Sequence, residues 1–125
     1  MLLEICVENL ESAIIAERAG ADRIELCSDL KDGGLTPGFD LLKLIKEKFT
    51  IPVHVMIRPR AGDFIYSSEE FQLMKKQIED SKILNADGVV FGILTESGDV
   101  DVKRTKELVE LSLPMKVTFH RAFDV

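Results

Sequence analysis

The chain has 125 residues, a length that fits one domain, and 46% of them are hydrophobic, which is enough for a buried core. The net charge of −6, from 16 basic and 22 acidic side chains, argues against binding of nucleic acid, which needs a clustered basic surface. No apolar run approaches the roughly 20 residues that span a bilayer and no export signal is visible, so we expect a cytoplasmic protein without a membrane segment.

Short β-rich runs alternate with longer helical patterns along the chain. The five predicted strands are LLEICV (2–7), DRIELC (22–27), PVHVMI (52–57), DGVVFG (87–92) and MKVTFH (115–120). The four predicted helices run from Asn9 to Ala19, over residues 39–48, from Ser67 to about Leu84, and from Asp99 or Asp101 to about Ser112. A β-α unit repeated four times and followed by a strand predicts a parallel sheet with right-handed crossovers.

Cap residues mark where these helices begin. Asn9 predicts the N-cap of the first helix, and Ser67 with Glu70 three residues later predicts a capping box for the third. Thr36 and Pro37 predict the N-cap and first helical position of the second helix.

The alternation of side chains within the strands distinguishes two parallel folds. In the third predicted strand, apolar residues alternate with His54, Met56 and Arg58, which share the other face. A flavodoxin-like open sheet buries both faces, and its strands tend toward unbroken apolar runs. A TIM barrel accepts polar groups in its interior and at its mouth. The pattern therefore favours an α/β fold made of parallel (β/α) units of a TIM barrel, here an incomplete barrel of about five strands and four helices.

The length is short for that fold, because a full barrel takes about 250 residues. We therefore expect residues 1–125 to form a partial TIM-barrel domain, the N-terminal fragment of a longer barrel. The alternative is a barrel that two copies close together. Because the bare edges of a parallel sheet invite pairing with another chain, we also expect a homo-oligomer.

Four segments carry a family resemblance. They are EICVENLESAIIAERAGADRIELCSDLKDGGLTPG (4–38), MIRPRAGDFIYS (56–67), GVVFGIL (88–94) and TFHRAFD (118–124). In these segments the chain resembles the CutC copper homeostasis family over essentially its whole length. The resemblance implies a cytoplasmic TIM-barrel protein of which this chain would be the N-terminal portion. It also implies copper binding or copper tolerance, and it names no reaction.

Cys6 and Cys27 end the first two predicted strands at matching parity. Two thiolates on adjacent strands suit Cu(I), a soft ion, and the resemblance implies a copper-ligand role for both cysteines. The alternative is two small buried apolar side chains. Met56 and His54 could add to a soft site, although we expect His54 to be a hydrogen-bonded core residue.

A second set of polar residues lies at the carboxyl ends of the predicted strands, where TIM barrels have their active sites. Arg58, Arg60 and Asp124 are expected to bind a small anion, with Arg58 available for bidentate hydrogen bonds. The alternative for Arg58 is a structural ion pair with Glu25. Glu25 and His120 are the candidate catalytic residues, because both could transfer a proton.

The sequence thus leaves two main functions open. The first is a CutC-like cytoplasmic protein of copper homeostasis that holds Cu(I) with Cys6 and Cys27. The second is a TIM-barrel enzyme of lyase, isomerase or hydrolase type, acting on a small anionic substrate at the C-terminal mouth of the barrel. A third possibility is an incomplete chain without activity of its own.

Overall fold

The computed structural model describes residues 2–120, and Asp124, an expected anion-binding residue, lies outside this range. The elements in chain order are β1 (Glu4–Val7), α1 (Leu10–Arg18), β2 (Arg23–Leu26), α2 (Phe39–Lys48), β3 (Val53–Met56), α3 (Ser68–Ile83), β4 (Gly88–Phe91), α4 (Val102–Ser112) and β5 (Lys116–Phe119). A short 3₁₀ turn, Leu30–Asp32, lies between β2 and α2.

The five strands form one sheet in the order β1-β2-β3-β4-β5, and every neighbouring pair is parallel. Each strand therefore lies beside the strand that follows it in the sequence, with a helix covering the connection, which is the order of a TIM barrel. This confirms the predicted incomplete barrel of five strands and four helices. Among the helices of residues 2–120, none combines the length and apolar character needed to cross a bilayer.

Side-chain caps begin three of the helices as the sequence predicts. The Asn9 side chain accepts a hydrogen bond from the Ser12 amide at 2.7 Å at the start of α1. At α3, Ser67 accepts from the Glu70 amide at 3.1 Å and Glu70 accepts from the Ser67 amide at 2.8 Å, so the capping box is present. Asp101 caps α4 by accepting from the Arg104 amide at 3.1 Å.

The predicted start of α2 is wrong, because Gly38 and not Thr36 is the N-cap. The Thr36 hydroxyl instead accepts from the Arg58 amide at 2.8 Å and donates to the Gln77 side chain at 2.9 Å. Thr36 therefore joins the loop after β2 to β3 and α3, and it is not available to cap the helix that follows it.

The outer face of the sheet packs against the helices and holds the core. One register row on this face consists of Val7, Leu26, Val55, Val89 and Val117. Helix residues such as Leu42, Met74 and Leu108 are fully buried in the same apolar cluster. Burying a side chain of this size contributes about 1.5–3 kcal/mol, so this face supplies most of the stability of the sheet.

The inner face is polar, as the alternation predicts. One row across it consists of Cys6, Glu25, His54, Gly88 and Lys116. A Cβ at Gly88 would lie 2.7–2.9 Å from three atoms of the His54 ring, so the glycine makes room for the buried imidazole. Contrary to the expectation of a fully hydrogen-bonded histidine, His54 Nδ1 is buried and has no partner within residues 2–120.

Candidate functional site

A cavity of about 360 Å³ lies along the inner face of the sheet. Its lining includes Glu4, Glu25, Met56, Arg58, Phe64 and His120. The structure therefore brings together both candidate catalytic residues, Glu25 and His120, and one of the expected anion-binding residues, Arg58.

The Glu25 carboxyl interacts with that of Glu4 on the neighbouring strand. Burial, and then the hydrogen bond and negative charge of Glu4, raise the pKa of Glu25 to about 7. Arg23 is ion-paired with Glu4, and its positive charge opposes part of the rise in the pKa of Glu25. The cavity therefore contains a carboxyl group that can gain or lose a proton near neutral pH.

Both thiols contact this same carboxyl. Cys27 Sγ lies 3.9 Å from Glu25 Oε1, and the Cys6 side chain interacts with the Glu25 carboxyl. Cys27 is buried, whereas Cys6 is exposed. Burial, followed by the charge of Glu25, raises the pKa of both cysteine thiols, so both sulfurs carry protons at neutral pH.

The strand register places the two cysteines too far apart for a disulfide. Cys6 pairs with Glu25, and Cys27 lies two residues further along the neighbouring chain segment. Two residues along a strand and one strand spacing across give a Cα separation of about 8 Å, whereas disulfides need about 4.4–6.8 Å. The thiols therefore stay separate while facing the same carboxyl.

The donors near Cys27 fit a soft metal ion better than a hard one. Met56 packs against Cys27 in a small buried cluster with Val90, so a thioether lies beside the thiol. Thiols and thioethers are the ligands that Cu(I) prefers. Within residues 2–120 there is no group of three or more histidine, cysteine, aspartate or glutamate side chains that could hold a metal ion, so any site here has a low ligand count.

Arg58 is 6% exposed and ties two loops together at the mouth of the cavity. Its Nη1 donates to the carbonyls of Asp32 at 2.9 Å and Gly34 at 3.3 Å, and its Nη2 donates to the carbonyl of Gly62 at 2.9 Å. The guanidinium carbon lies 5.0 Å from the centre of the Phe64 ring. The ion pair with Glu25 considered as an alternative is not among the ion pairs formed by residues 2–120.

Arg60 lies in the loop after β3 and is engaged there. Its guanidinium pairs with the carboxylates of Asp63 and Glu70 and donates to the carbonyl of Ile65 at 2.7 Å. Arg60 does not line the cavity. It organises the loop that carries Phe64 and the α3 cap, so the case for anion binding rests on Arg58.

His120 follows β5, and its backbone amide donates to the carbonyl of Phe91 at 3.1 Å. Its ring centre lies 4.8 Å from that of Phe64, so the Phe64 ring is close to both His120 and Arg58. The sequence reasoning missed Phe64. Its signal is an aromatic residue in a loop that otherwise consists largely of small and charged residues, RPRAGDF, directly after a strand.

The fold and this site define a class of protein: a parallel β/α barrel unit with thiols, carboxyls and an arginine on its inner face. Comparison with known proteins narrows the class further. The model of the CutC family matches residues 1–125, and the chain therefore belongs to the CutC family.

Individual relatives agree with this assignment. A human protein named copper homeostasis protein cutC homolog is 53% identical over 99% of this chain and 45% of its own length. A CutC family protein of Chromobacterium violaceum is 50% identical over 99% of this chain and 50% of its own length. The chain thus spans about half the length of the curated relatives it matches.

A solved structure supports the same fold. The crystal structure titled as the putative copper homeostasis protein CutC of Streptococcus agalactiae superposes with a TM-score of 0.89 and 36% sequence identity. The superposition covers 99% of this chain and 61% of that one.

Proposed function

We propose that this chain is part of a cytoplasmic copper homeostasis protein that binds Cu(I) as its cargo through Cys6 and Cys27. The observation that carries the proposal is the contact of both thiols with one carboxyl, Glu25, on the inner face of the sheet. The human and Streptococcus agalactiae relatives are both named as copper homeostasis proteins, which supports a role in copper homeostasis.

The distance between the two thiols favours a metal ion bound by both sulfurs and argues against a disulfide bond between them. With Cα atoms about 8 Å apart, the sulfurs cannot bond to each other without a backbone shift. Two metal–thiolate bonds of about 2.3 Å each span a much longer sulfur–sulfur distance. The buried thioether of Met56, beside Cys27, offers a third soft donor.

Cu(I) titration against a colorimetric chelator, without oxygen, tests this proposal. We expect Cys6→Ser combined with Cys27→Ser to weaken Cu(I) binding by more than about 100-fold, because even outer partners of a metal site change affinity about 10–100-fold. Met74→Leu removes a sulfur from the helix-side core and serves as the matched control, with unchanged affinity expected. Equal Cu(I) affinity in the double variant and the wild type would contradict the proposal.

A second function is favoured by the Glu4–Glu25 pair. A carboxyl with a pKa of about 7, in the same cavity as His120, is suited to general acid–base catalysis at neutral pH. We propose as the alternative a lyase, isomerase or hydrolase type of enzyme acting on a small anionic substrate.

Exchange of substrate protons with D₂O tests the lyase or isomerase form of this alternative. Lactate, glycerate and serine are incubated with the protein, and the loss of their α-proton signal is followed by nuclear magnetic resonance. We expect catalysed exchange that Glu25→Gln slows about 100-fold or more, since one acid–base group contributes about 10²–10⁴-fold. Lys75→Gln, at an outer-surface ion pair, is the control. Absence of exchange, or equal exchange in Glu25→Gln, would remove the lyase and isomerase forms of this candidate.

The predicted homo-oligomer stays a prediction. Within residues 2–120, β1 and β5 each pair on one side only, so each presents an open parallel edge. Sedimentation velocity should therefore report a mass above that of one chain, and a stable monomer at micromolar concentration would contradict it.

A further inference from the structure

The buried guanidinium of Arg58 forms no ion pair with any carboxylate of residues 2–120. The side chain is 6% exposed. Two less buried arginines of the same region do have carboxylate partners, since Arg23 pairs with Glu4 and Arg60 pairs with Glu70. A buried charge is costly unless it is paired, so Arg58 is the exception that needs an explanation.

The hydrogen bonds of Arg58 leave part of its guanidinium unused. Of five N–H groups, three donate to backbone carbonyls, two from Nη1 and one from Nη2. Nε is buried and has no acceptor in the part of the chain that the structure describes. Nε and Nη2 share one edge of the planar guanidinium, and such an edge binds a carboxylate or phosphate through two parallel hydrogen bonds.

The loops hold this guanidinium in place before any ligand arrives. The three carbonyl acceptors belong to Asp32, Gly34 and Gly62, in the two loops that follow β2 and β3. Phe64 covers one face of the guanidinium at 5.0 Å. A donor edge that is already fixed loses little conformational entropy when it binds an anion, which favours affinity.

The cavity limits the size and charge of the ligand. Its volume of about 360 Å³ lies at the small end of ligand pockets, which suits a metabolite. Glu4 and Glu25 line the same cavity, so a dianionic phosphate would meet like charges. A single carboxylate meets less repulsion, and hydroxyl or amino groups on the ligand can donate to the two glutamates.

We propose that Arg58 binds the carboxylate of a small hydroxy acid or amino acid in this cavity. The acid group lies against the Nε edge of Arg58, beside Phe64, and the hydroxyl or amino group of the ligand points toward Glu4 and Glu25. The assignment concerns binding alone, so it depends neither on copper, which the cysteines would hold, nor on catalysis.

Binding of lactate, glycerate, serine and inorganic phosphate to the wild type, Arg58→Lys and Arg104→Lys tests the proposal by calorimetric titration. Arg58→Lys keeps the positive charge but loses the planar guanidinium with its two parallel donors, so we expect at least about 10-fold weaker binding of the hydroxy or amino acids. Arg104→Lys changes an arginine of α4 that does not line the cavity, and its affinity should match the wild type. Unchanged affinity in Arg58→Lys, tighter binding of phosphate than of any of the acids, or no binding of any acid would overturn the proposal.

A second readout covers the case in which Arg58→Lys does not fold. In the ¹⁵N-labelled wild type, one arginine Nε–H signal should move when a bound acid is added. Lysine variants of the other five arginines, Arg18, Arg23, Arg60, Arg104 and Arg121, identify that signal by elimination. A shift of none of the signals, or of one assigned to those five arginines, would also overturn the proposal. Binding without exchange of substrate protons would support this site while removing the lyase and isomerase forms of the enzyme alternative.

Discussion

On the helix side of the sheet, Leu26, Val55 and Val89 are fully buried among other apolar side chains. The opposite side of the same strands carries Glu25, whose pKa is raised, and the neighbouring His54, whose Nδ1 has no hydrogen-bond partner among the residues that the structure describes. Successive residues of each strand point to opposite faces. The difference in polarity between the faces therefore comes from the identity of the alternating residues and not from where the strands lie. The outer face stabilises the fold by burying apolar side chains. The inner face holds buried polar groups, which cost free energy, and a binding site would explain why they are there.

Two neighbouring arginines repeat this contrast on a smaller scale. Arg60 has two carboxylate partners and a backbone carbonyl, and it fastens its own loop. Within residues 2–120, the guanidinium of Arg58, two residues earlier, donates to backbone carbonyls, and its Nε has no acceptor. Similar side chains in the same segment therefore differ in whether their charge is compensated, and that difference separates a structural arginine from one suited to a ligand.

The largest effect should come from the outer face. Leu26→Ala should lower the free energy of unfolding by about 2–5 kcal/mol, because it removes a fully buried side chain from the core. Urea denaturation measures this loss. Cys6→Ser, on an exposed side chain of the inner face, should change stability by less than about 0.5 kcal/mol. Similar losses in the two variants would break the distinction between the faces.

Gly88→Ala should destabilise the protein by about 1–3 kcal/mol, since the added Cβ would overlap the His54 ring. The overlap can be isolated with a double-mutant cycle, in which Gly88→Ala is combined with His54→Ala. Gly88→Ala should cost less stability in the His54→Ala background than in the wild type, because alanine at position 54 removes the overlap with the added Cβ. If the alanine costs as much without the imidazole as with it, the contact across the two strands does not explain the glycine.

Arg60→Gln should cost about 1 kcal/mol of stability, because Glu70 and Asp63 lose a charged donor at a partly exposed position. Thermal unfolding measures this change. The acid affinity described for Arg58 should stay the same in this variant. A loss of acid binding as large as that in Arg58→Lys would mean that the two arginines do not have separate roles.

The smallest expected effect is a dependence of stability on pH through His54. Burial, and then the positive charge of Arg23, lower the pKa of His54 below its usual 6.5, against the opposite pull of Glu4 and Asp87 and with a further lowering by Lys116. The unfolded chain therefore takes up a proton first, so stability falls as the pH drops through about 6.5 and continues to fall down to the folded pKa.

Denaturation at several pH values between 5 and 8 checks this dependence on the wild type and on His54→Gln. The variant cannot gain this proton, so it should lose less stability on acidification than the wild type does. Parallel curves for the two proteins would show that the buried imidazole is not the cause.

The sequence predicts most of this fold because each signal is local. Strand and helix alternation, the cap at Asn9 and the Ser67–Glu70 capping box need no information beyond a few neighbouring residues. Thr36 was mispredicted for the opposite reason, since its partners, Arg58 and Gln77, are distant in sequence and outcompete the local capping role. Predicted strands were longer than the observed ones because strand ends depend on their neighbours.

The candidate site could be predicted in part. Parity alone places Glu25, His54, Met56 and Arg58 on the inner face, and the cavity contains Glu25, Arg58 and His120 together. The carbonyl partners of Arg58 and the position of Phe64 follow from loop conformations, which residue spacing does not encode. The roles of Cys6, Cys27 and Arg58 stay predictions, since geometry gives their surroundings and not their ligands.

X-ray absorption of the Cu(I)-loaded protein tests the central claim, that the inner face binds Cu(I) through its two thiols, most directly. We predict that sulfur atoms dominate the ligand shell of the copper in the wild type and that Cys6→Ser combined with Cys27→Ser removes the sulfur signal. A shell made of nitrogen and oxygen atoms alone in the wild type, or an unchanged sulfur signal in the double variant, would contradict the account.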